Sequence, residues 1–368
     1  MDWKIYCLMT IRFVIFFVLG VFLLNKYLSK AKENNLGIYM ICSGVGLIVN
    51  IPTGADDIIL ALYAKFFGVS VPFENISPLP IIIAGVLLIF FGIYYLKVIS
   101  KRTYVLNLLG KSPKEINEDK TIRELNLSSY QMQERLVDLE HTFSNDLTTI
   151  ESLNSHTVNY IKRNAQIVSE RSTNQMLFLT GMAPIPYTII AGTYLSGKNE
   201  IGYLEYNRTT NKYYSIKTWK KRFPELITEE LRNANSKVED IAVALSITAK
   251  IQEADLEQFS SIPLVHFYLE EPKDNVILSF SQLEQYCGTV IKYIRDTNRD
   301  IKRIHLFAAI PSCVSYRLGM LIELNASRVP TIISYHYCRS ATPKYPFGIV
   351  VNGINKGNII RGNVFSDV

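Results

Sequence analysis

Apolar positions in this chain come first in long runs and later in short ones. Three long runs open it. Ile5 to Leu24 is broken by Arg12, Asn34 to Ala55 carries no charge, and Asn75 to Leu96 contains LPIIIAGVLLIFFGIYYL. A helix needs about 20 mostly apolar residues to cross a hydrocarbon core. The pattern therefore predicts an α-helical transmembrane region over residues 1–103, with about three spans and two to four compatible. The segment Asp56–Val71 is the open element, because Lys65 at its centre is costly in lipid and favours an interfacial or re-entrant helix. The first run lacks a small-residue cleavage pattern and NKYLSKAKEN follows it, so it reads as a retained span.

Lys26, Lys30 and Lys32 flank the first run, and Lys97, Lys101 and Arg102 follow the third. The positive-inside tendency puts both clusters, and the large C-terminal part, in the cytoplasm. Gly44, Gly46, Gly85 and Gly92 permit close contact between helices.

Beyond the third run the period changes. Met132, Leu136, Leu139, Phe143, Leu147, Ile150 and Leu153 recur at steps of three and four, with Glu134, Arg135, Asp138 and Glu140 opposite. This stripe predicts a helical connector over residues 104–144, either a short coiled coil between protomers or a helix packed on its own domain.

Residues 145–368 alternate strand-like and helix-like stretches, which predicts an α/β domain with a mostly parallel sheet. MLFLTGMAP, then IPYTIIAGTYL, then IGYLEYNR and KYYSIK share a layout with HLFAAIPSCVSYRLGMLIEL followed by VPTIISYHY. At an offset of 127 residues Leu179 matches Leu306, Pro184 matches Pro311 and Gly192 matches Gly319. IAVALSITAKI and IPLVHFYLEE supply further strands. The expected architecture is a pair of fused Rossmann-like halves.

Composition narrows the function. The first 105 residues carry a net +4 and the remainder a net +2. A near-neutral α/β part lacks the clustered basic excess that long DNA or RNA requires, while a small anionic ligand needs only a few amides and cations. Five cysteines without CxxC spacing read as reduced thiols. GKS at 110–112 is not a P-loop, since Val105 stands where the leading glycine belongs and Pro113 follows the serine. GxSxG, HExxH and GxGxxG do not occur, and His141, His156, His266, His305 and His336 lack metal-ligand spacing. Ser246, Thr248, Lys250 and Ser312 include hydroxyls for aligning a ribose, but no general base accompanies them, so no catalytic residue, metal or cofactor is assigned.

In open α/β sheets ligands bind beyond the carboxyl ends of the strands. That rule selects Gly181, Pro184 and Tyr187 in the first half, and Ser246, Thr248, Lys250, Pro311 and Ser312 in the second. Tyr206, Tyr335 and Tyr337 are candidates to stack on bases, and Arg208, Lys250 and Arg339 to neutralise phosphates.

ALSIT at 244–248, HLFAAIPSCVSYRLG at 305–319 and PTIISYHY at 330–337 resemble the SAVED domain, a fusion of two CARF-like halves found in bacterial CBASS antiphage systems. With the N-terminal runs included, the chain is similar to transmembrane SAVED effectors. That resemblance implies a multi-pass protein of the bacterial inner membrane whose sensor occupies residues 145–368. It also implies a cyclic di- or oligonucleotide as activating ligand, made by a nucleotidyltransferase of the same system. Self-association on activation, disruption of the lipid bilayer and abortive infection would follow. Two other readings are a membrane-anchored cyclic-nucleotide hydrolase and a passive receptor that regulates a separate partner.

Overall fold

The computed structural model describes residues 32–49, 79–99, 103–110, 132–138, 147–172, 175–217, 222–232, 238–297 and 300–362. The chain divides into two compact units, Met1–Arg102 and Thr103–Val368. The labels below number the described elements.

In the first unit, α1 (Lys32–Val49) and α2 (Leu79–Ile99) pack side by side. Glycines set their approach: a Cβ on Gly85 would stand 2.7 Å from the Gly44 carbonyl oxygen, and one on Gly92 2.7 Å from that of Gly37. Gly46, expected in the same role, faces open space. The transmembrane expectation is overturned here: among the described residues no helix is long and apolar enough to cross a membrane. The apolar stretches inside these helices are shorter than the helices themselves. Lys32, Glu33, Asn34 and Asn35 open α1, and α2 holds Pro80 in its first turn and Lys97 in its last. The four polar residues at the start of α1 and Lys97 in the last turn of α2 are what interrupt the apolar stretches. The multi-pass inner-membrane location loses its support with them. The expected span Ile5–Leu24 and the segment Asp56–Val71 lie outside the described residues.

The second unit starts with β1 (Thr103–Leu109) and β2 (Met132–Asp138), where the sequence predicted a helical connector. TYVLNLL is buried along its whole length because β1 lies between β2 and β3 (Leu177–Gly181). An interior parallel strand shows no alternation of apolar and polar positions, so TYVLNLL carried no strand period and fell within the predicted helical connector. Leu139 and Phe143 of the helical stripe lie outside the described residues. Its end, from Leu147, enters α3 (Leu147–Arg171), which buries Ile150, Val158, Ile161, Ala165 and Val168 at helical spacing.

The remaining elements are α4 (Ile185–Thr193), β4 (Ile201–Asn207), β5 (Lys212–Ser215), β6 (Ile227–Arg232), β7 (Asp240–Ser246), β8 (Leu264–Tyr268), α5 (Phe280–Asp296), β9 (Arg303–Ala309), α6 (Ser312–Leu324), β10 (Thr331–His336), β11 (Phe347–Val350) and β12 (Ile359–Arg361). Two sheets form, ordered β2-β1-β3-β4-β5 and β12-β11-β10-β9-β7-β8-β6. The doubling seen in the sequence is wider than its three identities. Strands β2-β1-β3-β4-β5 correspond in order to β8-β7-β9-β10-β11, with three parallel pairings and then one antiparallel pairing in each. Helix α3 precedes β3 as α5 precedes β9, and α4 follows β3 as α6 follows β9.

The halves meet where α4 crosses α6. A Cβ on Gly319 would come within 3.1 Å of the Gly192 Cα, and one on Gly192 within 3.1 Å of the Tyr316 Cα, so only glycine lets these backbones touch. The fully buried Tyr316 then sends its hydroxyl across the seam to the Thr180 carbonyl, 3.0 Å away. One apolar core runs through both halves, with Leu179, Ile189 and Tyr187 joined to Leu306, Val314 and Leu318.

Candidate functional site

The parallel strands of both halves deliver their carboxyl ends to one cavity of about 600 Å³. Gly110 follows β1, Met182 follows β3 and Arg208 follows β4; Thr248 follows β7, Ile310 follows β9 and His336 ends β10. This is the crevice in which open α/β sheets hold ligands, and its size is that of a small-molecule site. Thr188, Thr248, Ser312 and Ser315 are among its lining residues. Among the described residues that line it, Arg208 is the one Lys or Arg, against the carboxylates Glu205 and Asp274.

At each helix N-terminus beside this cavity one amide position is closed to a ligand. Pro311 precedes α6 and provides no side-chain cap. Its first turn is satisfied from the other half: Glu205 Oε1 accepts from Ser312 Oγ at 2.8 Å and from the Cys313 amide at 2.5 Å. Burial pushes the Glu205 carboxyl above the usual carboxylate range, and the bonds from Cys313 and Ser312 pull the other way. Burial, and then the charge of Glu205, pushes the Cys313 thiol well up, so it is no nucleophile. Helix α4 carries Pro186 at its start and so lacks that N–H altogether. The expected free amides for an anion are therefore not on offer at Cys313 or at Pro186.

Of the thirteen residues selected from sequence, the fold brings Gly181, Pro184, Tyr206, Arg208, Thr248, Pro311 and Ser312 to the cavity wall. A Cβ on Gly181 would lie 3.2 Å from that of Leu108, so this glycine also serves the pairing of β3 with β1. Tyr187 is buried and donates to Asn154 Oδ1 at 3.1 Å. Ser246 is buried, its hydroxyl paired with His266 Nε2 at 2.8 Å and accepting from the Ile251 amide at 2.9 Å. Tyr335 is buried, stacked on Phe307 at 4.9 Å with its hydroxyl 3.0 Å from His305 Nδ1. Lys250, Tyr337 and Arg339 are exposed and do not line the cavity.

Glu205, Asp274, Asn275, Ser315 and His336 line it and were not selected. For Glu205 a signal existed: an acid inside the apolar strand IGYLEYN, a position that requires a buried partner. Among the described residues no group of His, Cys, Asp and Glu is arranged to hold a metal ion.

Known proteins carry related features. The family model described as SAVED, the SMODS-associated and fused to various effectors sensor domain, matches residues 160–351. Among solved structures the chain is similar to the Cap4 SAVED/CARF-domain containing receptor of Acinetobacter baumannii with the cyclic trinucleotide 2'3'3'-cAAA. Identity is 14%, covering 74% of this chain and 56% of that one, with a TM-score of 0.47. The same receptor with 3'3'3'-cAAA gives 16% identity over 74% and 56%, with a TM-score of 0.45. The Cap4 receptor of Moraxella osloensis gives 12% over 64% and 47%, with a TM-score of 0.39. The chain thus spans about half the length of these receptors. No curated protein matches. Because the family model covers more than half of its residues, the chain belongs to the SAVED family of sensor domains.

Proposed function

We propose that this protein senses a cyclic oligonucleotide in the cavity between its two halves, within a bacterial CBASS antiphage system. The observation that carries the reading is the cavity itself, about 600 Å³ at the carboxyl ends of parallel strands from both halves. Membership of a sensor-domain family supports the same reading. Arg208 takes a phosphate, Tyr206 offers a ring to a base, and Thr248 and Ser312 offer hydroxyls. The signal comes from a nucleotidyltransferase of the same system, and its binding promotes association of sensors. None of the described helices is long and apolar enough to cross a membrane. The hydrolase reading is disfavoured by Ser246, whose hydroxyl is buried in a pair with His266, and by Lys250, which stands off the cavity wall.

The test is calorimetry of the full chain with cyclic di-, tri- and tetranucleotides, with light scattering alongside. One ring size is expected to bind without being consumed and to raise the scattering mass. Arg208→Ala is expected to weaken it about tenfold, the worth of one charge-assisted hydrogen bond. Absence of binding across the panel, or turnover of the ligand, overturns the reading.

A further inference from the structure

We infer that Arg339 is a second phosphate-binding residue of the sensing site, standing in the C-terminal half where Arg208 stands in the N-terminal half. The inference rests on the proposed sensing of a cyclic oligonucleotide and names a further contact with that ligand.

Sheet register carries the comparison. Leu179 and Leu306 are equivalent, and they pair with Tyr203 of β4 and Ser334 of β10. Three residues on, Tyr206 corresponds to Tyr337, and two further on Arg208 corresponds to Arg339. One Tyr-x-Arg motif thus occurs twice, at 206–208 and at 337–339. The likeness extends to a neighbouring ring in each half. Tyr206 meets Tyr213 edge-on at 5.1 Å and 62°, and Tyr337 meets Tyr345 edge-on at 5.4 Å and 64°. Both arginines are exposed, and neither is held in an ion pair among the described residues.

Charge asks for a second cation. A cyclic oligonucleotide carries one negative phosphate per nucleotide, hence two or more. Among the described residues that line the cavity, Arg208 is the one Lys or Arg, and Glu205 and Asp274 oppose it. One guanidinium clasps one phosphate, with a planar fork that suits its oxygens. Arg339 is placed to clasp another. It lies three residues beyond His336, which ends β10 and lines the cavity, and three residues span at most about 11 Å. Its long side chain adds to that reach. The Cys338 amide donates to the Lys344 carbonyl at 2.8 Å, and Lys344 Nζ donates to the Arg339 carbonyl at 2.8 Å. These bonds hold the backbone on both sides of the turn and leave the guanidinium to a ligand.

The experiment titrates the full chain by calorimetry with the cyclic di-, tri- or tetranucleotide that binds the parent most tightly. Arg339→Ala is expected to weaken binding about tenfold, as Arg208→Ala does, and Arg339→Lys to recover part of the loss. Arg328→Ala removes an exposed cation near the amino end of β10 and is expected to change binding less than about twofold. An equal mixture of the Arg208→Ala and Arg339→Ala chains is expected to bind no better than either alone, because both arginines serve one ligand in one chain. Recovery of tight binding in the mixture would put Arg339 on the ligand of a second copy and overturn the inference. An Arg339→Ala chain that binds like the parent, or loses no more than Arg328→Ala, overturns it as well and leaves sensing intact. If no ring binds the parent, the sensing reading itself falls.

Discussion

The two halves of the α/β unit share a strand order and differ at the same place in each. Sheet register makes Ile201 of β4 the counterpart of Ile332 of β10, since they face Leu177 and Ile304, themselves equivalent. Glu205 is then the counterpart of His336, and both line the cavity. Across the seam β4 packs near α6 and β10 near α4. Each helix begins with amides that have no partner inside the helix. In α6 they are answered by a carboxylate from the other half; in α4 Pro186 removes one. The repeated scaffold decides where a cavity opens, and the unequal residues at its repeated positions decide what it can hold. With Glu205 at one of these equivalent places and His336 at the other, the cavity wall is chemically asymmetric.

The sharpest way to break this comparison is to separate the halves. Gly319→Val places a branched side chain against the α4 backbone, 3.1 Å from the Gly192 Cα at its first carbon. Backbone cannot yield as a side-chain tip does, so the expected loss is roughly 3 kcal/mol, the upper end of overpacking costs. Gly288→Ala in α5, where nothing lies within 4 Å, is expected to be neutral or to stabilise by up to about 1 kcal/mol. Urea unfolding of the two variants checks the contrast. A Gly319→Val protein as stable as the parent would remove the crossing from the account of the fold.

The doubling was legible because its markers are local. Pro184, Gly192, Pro311 and Gly319 mark turns and close approaches with residue types that few other roles require, and they repeat at one spacing. What escaped is non-local. Glu205 meets its partners only when β4 comes beside a helix more than a hundred residues away in sequence. Tyr187 and Tyr335 have the residue type of base-stacking aromatics, yet they spend their rings in the core and their hydroxyls on Asn154 and His305. Strand β1 was hidden for the opposite reason. A strand buried on both faces has no period-two alternation, so TYVLNLL was read as part of the helical connector.

A middle-sized effect comes from a network that only the second half possesses. His305 of β9 stands where β3 has Phe178 under the 127-residue offset. Its Nε2 donates to Asp240 Oδ1 at 3.0 Å, so its Nδ1 accepts from the Tyr335 hydroxyl at 3.0 Å. Tyr335→Phe removes that hydrogen bond from a buried nitrogen and is expected to cost about 1–3 kcal/mol. The network also sets an acid limit. Burial lowers the His305 pKa, so its contribution is whole above about 6.5 and is lost as pH falls below that value. Burial alone would raise Asp240, but hydrogen bonds from His305 and Arg303 outweigh it and hold the carboxyl at about 2. Its contribution is whole above about 4 and disappears as pH falls through about 2. Unfolding midpoints between pH 8 and pH 2 should therefore fall in two steps, and His305→Phe should flatten the first. An acid profile identical in that variant would sink the assignment.

The smallest effect sharpens the comparison where the halves differ most quietly. Pro186→Ala gives α4 the N–H that α6 has at Cys313, without supplying an acid to receive it, because β10 carries His336 in the place of Glu205. A proline in the first turn stabilises a helix by restricting the unfolded chain, so its loss is expected to cost less than about 1 kcal/mol. Binding of a cyclic oligonucleotide should change less than threefold, since Pro186 is not among the residues that line the cavity. Unfolding and calorimetry on this single variant decide between two views of the cavity. A small, binding-neutral change means that α4 needs no answer from the other half, whereas α6 takes one from Glu205. A loss of several kcal/mol would mean that Pro186 shapes the cavity as firmly as Glu205 does, and the asymmetry would then lie in the backbone as much as in the acid.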